Sequence, residues 1–248
     1  MSTSSLRNDT PFPVRVEFLS DWSCGTGTGR HQAIDRQVER DADGFPQLSG
    51  KTLVAMLRDA AETVAAGLDE GAGGVWHDWV ETVFGTERRL GERGLSLRRG
   101  PGEAPAANGA DPRPYLAALR ARPLRLAEPV RAAIAALPEP SRRLARDATV
   151  LLRPGVAIDE RTGAAADQLL RIEERAAAGL TVEAAWRFWF PSLASGEPVP
   201  WEAELLLRAA ARLVDAVGGR RRRGAGRCRV SIGDHDPLPE LLPRVDAA

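Results

Sequence analysis

A glycine string directly after a strand-like run is the feature that most restricts the fold of this chain. Residues 14–18 read VRVEF, and this alternation of apolar and charged residues is typical of a half-buried strand. The string from Gly25 to Gly29 reads GTGTG, which leaves several backbone N–H groups uncovered and able to approach an anion closely. The stretch predicts a loop that contacts a phosphate-bearing partner.

An isolated acid and a helix start follow the glycine string. Asp35 stands alone between an apolar and a basic neighbour. Residues 49–52, SGKT, open a predicted amphipathic helix that continues to about Ala66, and they place Lys51 in its first turn. Together with the glycine string, the carboxylate and the helix start indicate a phosphate-binding region.

Spacing disfavours two familiar nucleotide-binding motifs. The residues before Lys51 would form a Walker loop only with a glycine in place of Phe45. Gly25, Gly27 and Gly29 form G-x-G-x-G instead of G-x-G-x-x-G, and no predicted helix starts directly after them. A nucleotide hydrolase and a dinucleotide-binding enzyme are therefore both unfavoured.

The composition allows nucleic-acid binding only through local patches. The chain has 248 residues, 43% of them apolar, and its formal net charge is zero. Cys24 and Cys228 lie far apart and indicate neither a disulfide framework nor a zinc site. The polar start lacks the apolar core of a signal peptide, and no apolar run reaches membrane-spanning length, so we expect a cytoplasmic protein.

Four consecutive arginines lie in a second glycine-rich stretch near the other end of the chain. They follow a predicted helix over residues 202–217 and precede a strand-like run, RCRVSI, over residues 227–232. Arginine forks suit phosphate oxygens, and the flanking glycines let the backbone approach an anion as well. The sequence therefore favours phosphate binding at Gly219 to Gly224, with a solvated turn as the alternative.

The order of the predicted elements indicates an α+β fold. Strand, helix, strand, strand, helix and strand follow one another, which is the ferredoxin-like or RNA-recognition-motif arrangement. We expect one domain over residues 1–248. A Pro/Ala/Arg-rich stretch at about 100–146 has too few large apolar residues for its own core and is predicted to be an insertion. Residues at about 153–175 are predicted to form a projecting hairpin.

Three blocks of the sequence resemble the RAMP superfamily of CRISPR-associated proteins, most closely the backbone subunits of type III effector complexes. Residues 25–62 resemble the family's glycine loop, acidic residue, turn and guide-binding helix. Residues 153–174, followed by 178–186, are similar to its thumb hairpin, and residues 213–230 to its C-terminal glycine-rich loop. The blocks cover about half of the chain.

The resemblance implies a ferredoxin-like RAMP core that binds a CRISPR guide RNA and a complementary target RNA in antiviral defence. Its implied protein partners are other RAMP subunits and a large signature subunit of the complex. In catalytic backbone subunits an aspartate in the loop after the first strand supports metal-dependent cleavage of target RNA, and Asp35 stands at that position. A divalent cation, Mg²⁺, is the implied cofactor, and Arg58 matches the arginine that closes the family's helix block.

Asp35 is the one candidate catalytic and metal-binding residue, and the predicted RNA-binding set is larger. A structural salt bridge from Asp35 to a neighbouring arginine is the alternative for that residue. Two functional alternatives to an endoribonuclease backbone subunit also remain, namely a non-catalytic structural or cap subunit, and a stand-alone guide-processing ribonuclease with His31 as acid–base catalyst. The predicted RNA-binding residues are Gly25, Gly27, Gly29, Arg30, His31, Lys51, Arg58, Gly219, Arg220, Arg221, Arg222, Arg223 and Gly224.

Overall fold

The computed structural model describes residues 5–25, 34–69, 74–86, 116–156, 161, 163–164 and 171–247. No helix within these ranges combines the length and the apolar character that crossing a membrane requires. The strands are β1 (Phe12–Phe18), β2 (Leu119–Arg120), β3 (Arg125–Leu126), β4 (Val150–Gly155), β5 (Arg171–Ala176), β6 (Thr181–Phe188) and β7 (Cys228–Ile232). The helices are α1 (Gly50–Leu68), α2 (Val75–Phe84), α3 (Glu128–Ala135), α4 (Ser141–Asp147), α5 (Trp201–Leu213) and α6 (Leu238–Leu241).

An antiparallel sheet forms the centre of the fold. β1 pairs with β6 on one side and with β7 on the other, and both β2 and β3 pair with β6. Counted along the chain as β1, β2/β3, β6 and β7, the strands are arranged 4-1-3-2, with α1 and α5 as the two connecting helices. This order confirms the predicted ferredoxin-like core.

The alternating pattern of β1 sets which face of the sheet carries the helices. Its apolar residues at every second position are buried, as period-2 geometry requires. α1 buries Leu53, Leu57, Ala61 and Ala65, which lie on one face of the helix at a spacing of four. Gly50 has a packing role here, because a Cβ atom would lie 2.8 Å from the carbonyl oxygen of Arg122.

Part of the stretch predicted as an insertion belongs to the central sheet. Residues 119–120 and 125–126 supply the strands next to β6, whereas residues 100–115 lie outside the described residues. The following helices, α3 and α4, contain no buried residue. The second half of this stretch thus both completes the sheet and adds two exposed helices.

β4 and β5 form a separate two-stranded sheet, which confirms the predicted hairpin. Their register runs from Val150 opposite Ala176 to Gly155 opposite Arg171. The other edge of β5 bonds to the chain after β1, since the Trp22 N–H donates to the Ala176 carbonyl at 3.0 Å. Most of the hairpin tip, residues 157–160, 162 and 165–170, lies outside the described residues.

A buried ion pair on α5 ties both ends of the described chain to the core. Arg208 Nε donates to Glu204 Oε1 at 2.8 Å, and both side chains are almost fully buried. Glu204 Oε2 accepts from the backbone N–H of Ser5 at 2.7 Å, and Arg208 Nη1 donates to the carbonyl of His235 at 2.7 Å. One pair therefore positions the segment before β1 and the segment after β7.

We expect Arg208→Met to destabilise the fold strongly. The change leaves the Glu204 carboxylate buried without its guanidinium partner, a situation that costs about 3–5 kcal/mol. Arg212→Met on the same helix is the control, because its ion pair with Asp236 is exposed and is expected to contribute about 1 kcal/mol or less. Urea denaturation followed by circular dichroism measures both, and equal losses for the two variants would contradict this assignment.

Candidate nucleic-acid interface

The segments singled out in the sequence meet at one groove of about 440 Å³. Its walls are residues 23–25, residues 35–37, Thr52 and Met56 of α1, and a part of residues 218–226, which we call the arginine loop. The first residue of the predicted glycine string, the isolated acid, the helix start and the second glycine-rich stretch thus surround one space.

Glycines hold the arginine loop against the chain that follows β1. The Gly219 N–H donates to the Ser23 carbonyl at 2.9 Å, and the Gly226 N–H donates to the Asp21 carbonyl at 2.8 Å. Gly218 has a φ of +96°, and a Cβ atom there would lie 2.5 Å from the Ser23 carbonyl oxygen. Only glycine allows this close approach of two backbones.

Arg220 links the arginine loop to the β4–β5 hairpin. Its guanidinium donates to the carboxylate of Glu173 on β5, and its own backbone is left-handed with φ +63°. The hydrogen bond from Arg220 lowers the pKa of the Glu173 carboxyl. Arg220, predicted as an RNA contact, therefore already has a partner within the chain.

The other three arginines of the run are exposed. Arg221 Nη1 lies 3.0 Å from the Met56 sulfur, which places this side chain over α1 at the groove. Arg222 and Arg223 form no side-chain hydrogen bond or ion pair among the described residues. All three residues are therefore exposed, and Arg221 is the one that lines the groove.

Asp35 lies at the groove and is bonded to the hairpin. Its N–H donates to the Ile172 carbonyl at 2.9 Å, and its Oδ2 accepts from the Ile172 N–H at 2.7 Å. Within the part of the chain that the structure describes, Asp35 forms no salt bridge with an arginine. The carboxylate thus extends the edge of β5 while remaining exposed to solvent.

The described residues do not build a metal site of their own. No three His, Cys, Asp or Glu side chains among them cluster closely enough to hold a metal ion. Asp35 is the single acid among the described residues that line the groove. A divalent cation at this position would therefore take most of its ligands from RNA oxygens.

The remaining predicted contacts fall into three groups. Lys51 is exposed on the first turn of α1, next to the groove-lining Thr52. Arg58 Nε donates to Glu62 at 2.9 Å and its Nη1 donates to the Gly85 carbonyl, so this side chain connects α1 to the end of α2. Gly27, Gly29, Arg30 and His31 lie outside the described residues. RNA binding by all of these residues stays a prediction.

Several groove residues were not found from the sequence. Arg36, Gln37, Thr52 and Met56 line the groove, but none carries a motif that distinguishes it from an ordinary surface residue. Glu173 lies in the block that resembles a thumb hairpin, yet its ion pair with the arginine loop depends on the tertiary fold. The sequence feature that could have identified them is their position, because Arg36 and Gln37 directly follow Asp35, and Thr52 and Met56 lie near the start of α1.

The two cysteine thiols of the chain are buried and unreactive. Cys24 and Cys228 are both buried and free. Burial raises the pKa of each thiol to about 12. Both stay protonated near neutral pH, so neither supplies a nucleophile or a metal ligand.

The family model of the RAMP superfamily matches residues 15–229. The sequence matches no curated protein. A chain of the type III-B Cmr-beta complex bound to cognate target RNA, solved by cryo-EM, aligns with a TM-score of 0.57 at 9% identity, over 94% of this chain and 99% of that chain. This alignment shows a shared fold.

Two further solved chains align less well. One, from the type III-B Cmr-beta complex in its apo state, has a TM-score of 0.47 at 12% identity, over 90% of this chain and 96% of that chain. The other, from a type IV-B CRISPR complex, has a TM-score of 0.48 at 15% identity, over 91% of each chain. At these scores neither adds to the fold assignment.

We expect Gly218→Ala to displace the arginine loop, whereas Gly224→Ala should leave it in place. Both residues have positive φ, so each alanine costs about 1–2 kcal/mol in backbone conformation. Only the Cβ atom at position 218 meets another backbone, and such overpacking adds about 1–3 kcal/mol. Thermal unfolding measures the difference, and equal destabilisation by the two variants would show that the contact with Ser23 is dispensable.

Proposed function

We propose that this chain, which belongs to the RAMP superfamily, binds a CRISPR guide RNA as a backbone subunit of a multi-subunit type III effector complex. The observation that carries the proposal is the groove between the arginine loop, Asp35 and the start of α1. The proposal also draws on the fold shared with a chain of a type III-B complex that was solved with cognate target RNA. A complementary target RNA and other RAMP subunits are the proposed partners.

The charges around the groove support an RNA phosphate as its ligand. The molecule is neutral as a whole, so attraction of a polyanion has to arise locally. Arg36 and Arg221 line the groove, Arg222 is exposed beside it, and the first turn of α1 carries Lys51 and no acidic residue. The amino end of this 19-residue helix carries a partial positive charge from the helix dipole. This charge and the nearby cations attract an anion together.

The open face of the sheet is a less suitable RNA surface. Four of its charges are paired, with Arg15 at 3.4 Å from Glu183 and Arg229 at 3.6 Å from Glu17. Among the described strand residues that point away from the helices, none is aromatic. Proteins that bind single-stranded RNA on a sheet stack bases on aromatic side chains. The exposed Trp189, which directly follows β6, already has the Arg120 guanidinium over its ring at 5.2 Å, so this face offers no free aromatic strand residue for that mode.

We extend the proposal to cleavage of the bound target RNA at Asp35. One oxygen of this carboxylate accepts from Ile172, and the other remains available at the groove. A divalent cation such as Mg²⁺, held there with RNA oxygens, would neutralise charge on the scissile phosphate. The bond to Ile172 also favours a second candidate, a structural subunit of the same kind of complex in which Asp35 only positions the hairpin.

We expect the double variant Arg221→Gln/Arg222→Gln to weaken RNA binding in a salt-dependent way. Each lost phosphate contact lowers the slope of log affinity against log salt by about 0.7 for a single strand, so two contacts lower it by about 1.4. Fluorescence anisotropy with a labelled single-stranded RNA over a series of salt concentrations measures this slope. The control is Arg142→Gln/Arg143→Gln on α4, which removes the same charge from exposed positions. Equal slopes for wild type and the loop variant would contradict the proposed site.

Asp35→Asn and Asp35→Ala together separate catalysis from structure. The asparagine oxygen still accepts from the Ile172 N–H, whereas alanine removes both the charge and the hydrogen bond. If Asp35 supports cleavage, the complex that contains Asp35→Asn keeps its guide RNA and its melting temperature. Its rate of target RNA cleavage falls by about 100-fold or more. Normal cutting by the asparagine variant, with destabilisation by the alanine variant alone, would assign Asp35 to structure.

A further inference from the structure

A groove of about 490 Å³ lies between α3, α4 and the turn at residues 42–45, and we call it the helix groove. It shares no lining residue with the groove beside the arginine loop. One face of α3 lines it, because Glu128, Arg131, Ala132 and Ala135 follow the helical spacing i, i+3, i+4 and i+7. The helix groove is therefore a separate site.

The two helices that form this groove expose apolar side chains. Neither α3 nor α4 contains a buried residue. Val130, Leu137 and Leu144 are exposed, and the half-buried Ile134 lines the groove. A helix of a globular protein usually buries its apolar side, and clustered exposed apolar residues mark contact sites for other proteins. Within the described residues, these two helices therefore lack a covering partner.

The inner wall of the helix groove is apolar and fixed in place. Phe45 lines the groove and is almost fully buried, and its N–H donates to Asp41 Oδ1 at 3.0 Å. Ala132 and Ala135 of α3 also line the groove, and both are small and exposed. This combination leaves room for an apolar side chain from outside, packed between Phe45 and α3.

Part of the charge in the lining is already used within the chain. The Arg131 guanidinium donates to the Asp43 carboxylate, which joins α3 to the turn. Arg142 donates through Nε to the Leu137 carbonyl at 3.1 Å, which joins α4 to the chain after α3. These contacts hold the walls in position, so the groove is formed before any ligand binds.

One cation and one anion of the lining keep an unpaired charge. Neither Arg146 nor Glu128 forms an ion pair within the part of the chain that the structure describes. Arg146 Nη1 donates to the Asp43 carbonyl at 3.4 Å, a long bond that leaves most donors of this guanidinium unused. Glu128 is exposed in the first turn of α3. A ligand that matches this groove therefore carries both an acidic and a basic group.

A polypeptide fits this combination better than RNA does. The RNA backbone carries only negative charge, so Glu128 would repel it, and an apolar wall offers nothing to a phosphate. A protein segment supplies an apolar side chain together with charges of both signs. Complementary charges of this kind fix the register and orientation of a bound segment.

We propose that the helix groove binds a segment of another protein subunit. This segment inserts an apolar side chain between Phe45 and Ala135, and it places an acidic residue beside Arg146 and a basic residue beside Glu128. The inference rests on the proposed function, because the segment belongs to a subunit of the same complex. The bound segment makes no contact with the proposed RNA site.

The test uses Ala132→Glu/Ala135→Glu, which fills the groove without removing a side-chain hydrogen bond. Its matched control is Ala133→Glu/Ala136→Glu, which adds the same charge at the same spacing to exposed positions of the same stretch that do not line the groove. The native complex is purified through a tag on each variant chain, and mass spectrometry measures the amount of every subunit. The groove variant should retain one protein subunit about tenfold less or worse, as expected when a buried anchor loses its pocket.

RNA affinity and thermal unfolding separate this effect from the proposed function. Anisotropy with a labelled single-stranded RNA should give equal affinities for the groove variant and its control, and both should unfold at the wild-type temperature. If the groove variant retains every subunit in the wild-type amount, the helix groove binds no subunit and the proposed function stands. If wild type co-purifies with neither RNA nor another subunit, the proposed function fails and the inference fails with it.

Hydrogen exchange on the wild-type protein tests the same inference without a substitution. The amides of residues 128–147 should exchange about tenfold more slowly in the purified complex than in the isolated chain, because a bound segment suppresses local opening of exposed helices. Single-stranded RNA alone should leave these amides unchanged.

Three outcomes of the exchange experiment would overturn the inference. Protection by RNA alone would show that RNA occupies the helix groove. Protection that rises with the concentration of the isolated chain would show that a second copy occupies it. Equal exchange in the isolated chain and in a complex that contains the other subunits would show that nothing binds there.

Discussion

The close backbone contact between the arginine loop and residues 21–23 is the constraint on which the candidate site depends. β1 ends at Phe18 and β7 begins at Cys228, and these two residues are paired in the sheet. Because the two strands are antiparallel, the chain after β1 and the chain before β7 leave the sheet at the same end of the strands. Glycine at position 218 lets the two segments touch, and residues from both ends of the sequence then surround one groove.

β5 supports both sides of this arrangement. Its backbone at Ile172 bonds to Asp35, and the side chain of Glu173 bonds to Arg220. Movement of the hairpin would therefore move the acidic side of the first groove and the arginine loop together. The neutral overall charge fits this picture, because four charges pair on the open face of the sheet, whereas Arg36 and Arg221 meet only one acid, Asp35, among the described residues that line the groove.

Elements with a clear period were predictable from the sequence, and elements fixed by tertiary contacts were not. The alternation in β1 and the helical spacing in α1 gave both elements to within a few residues. β2 and β3 contain two residues each and carry no period, so they were hidden in a Pro/Ala/Arg-rich stretch. The helix predicted over 202–217 ends at Leu213, because the following residues extend and Ala216 bridges to Arg227. The common groove of Asp35 and the arginine loop, and the ion pair of Arg220 with Glu173, depend on tertiary contacts that carry no sequence period.

Ultraviolet cross-linking of bound RNA, followed by mass spectrometry of the attached peptides, tests the central claim most directly. If RNA follows the groove, cross-links fall in residues 218–226 and in residues 34–37. Cross-links concentrated on the open face of the sheet, around Arg15 and Arg229, would contradict the account, because they would place the RNA on the surface opposite the helices.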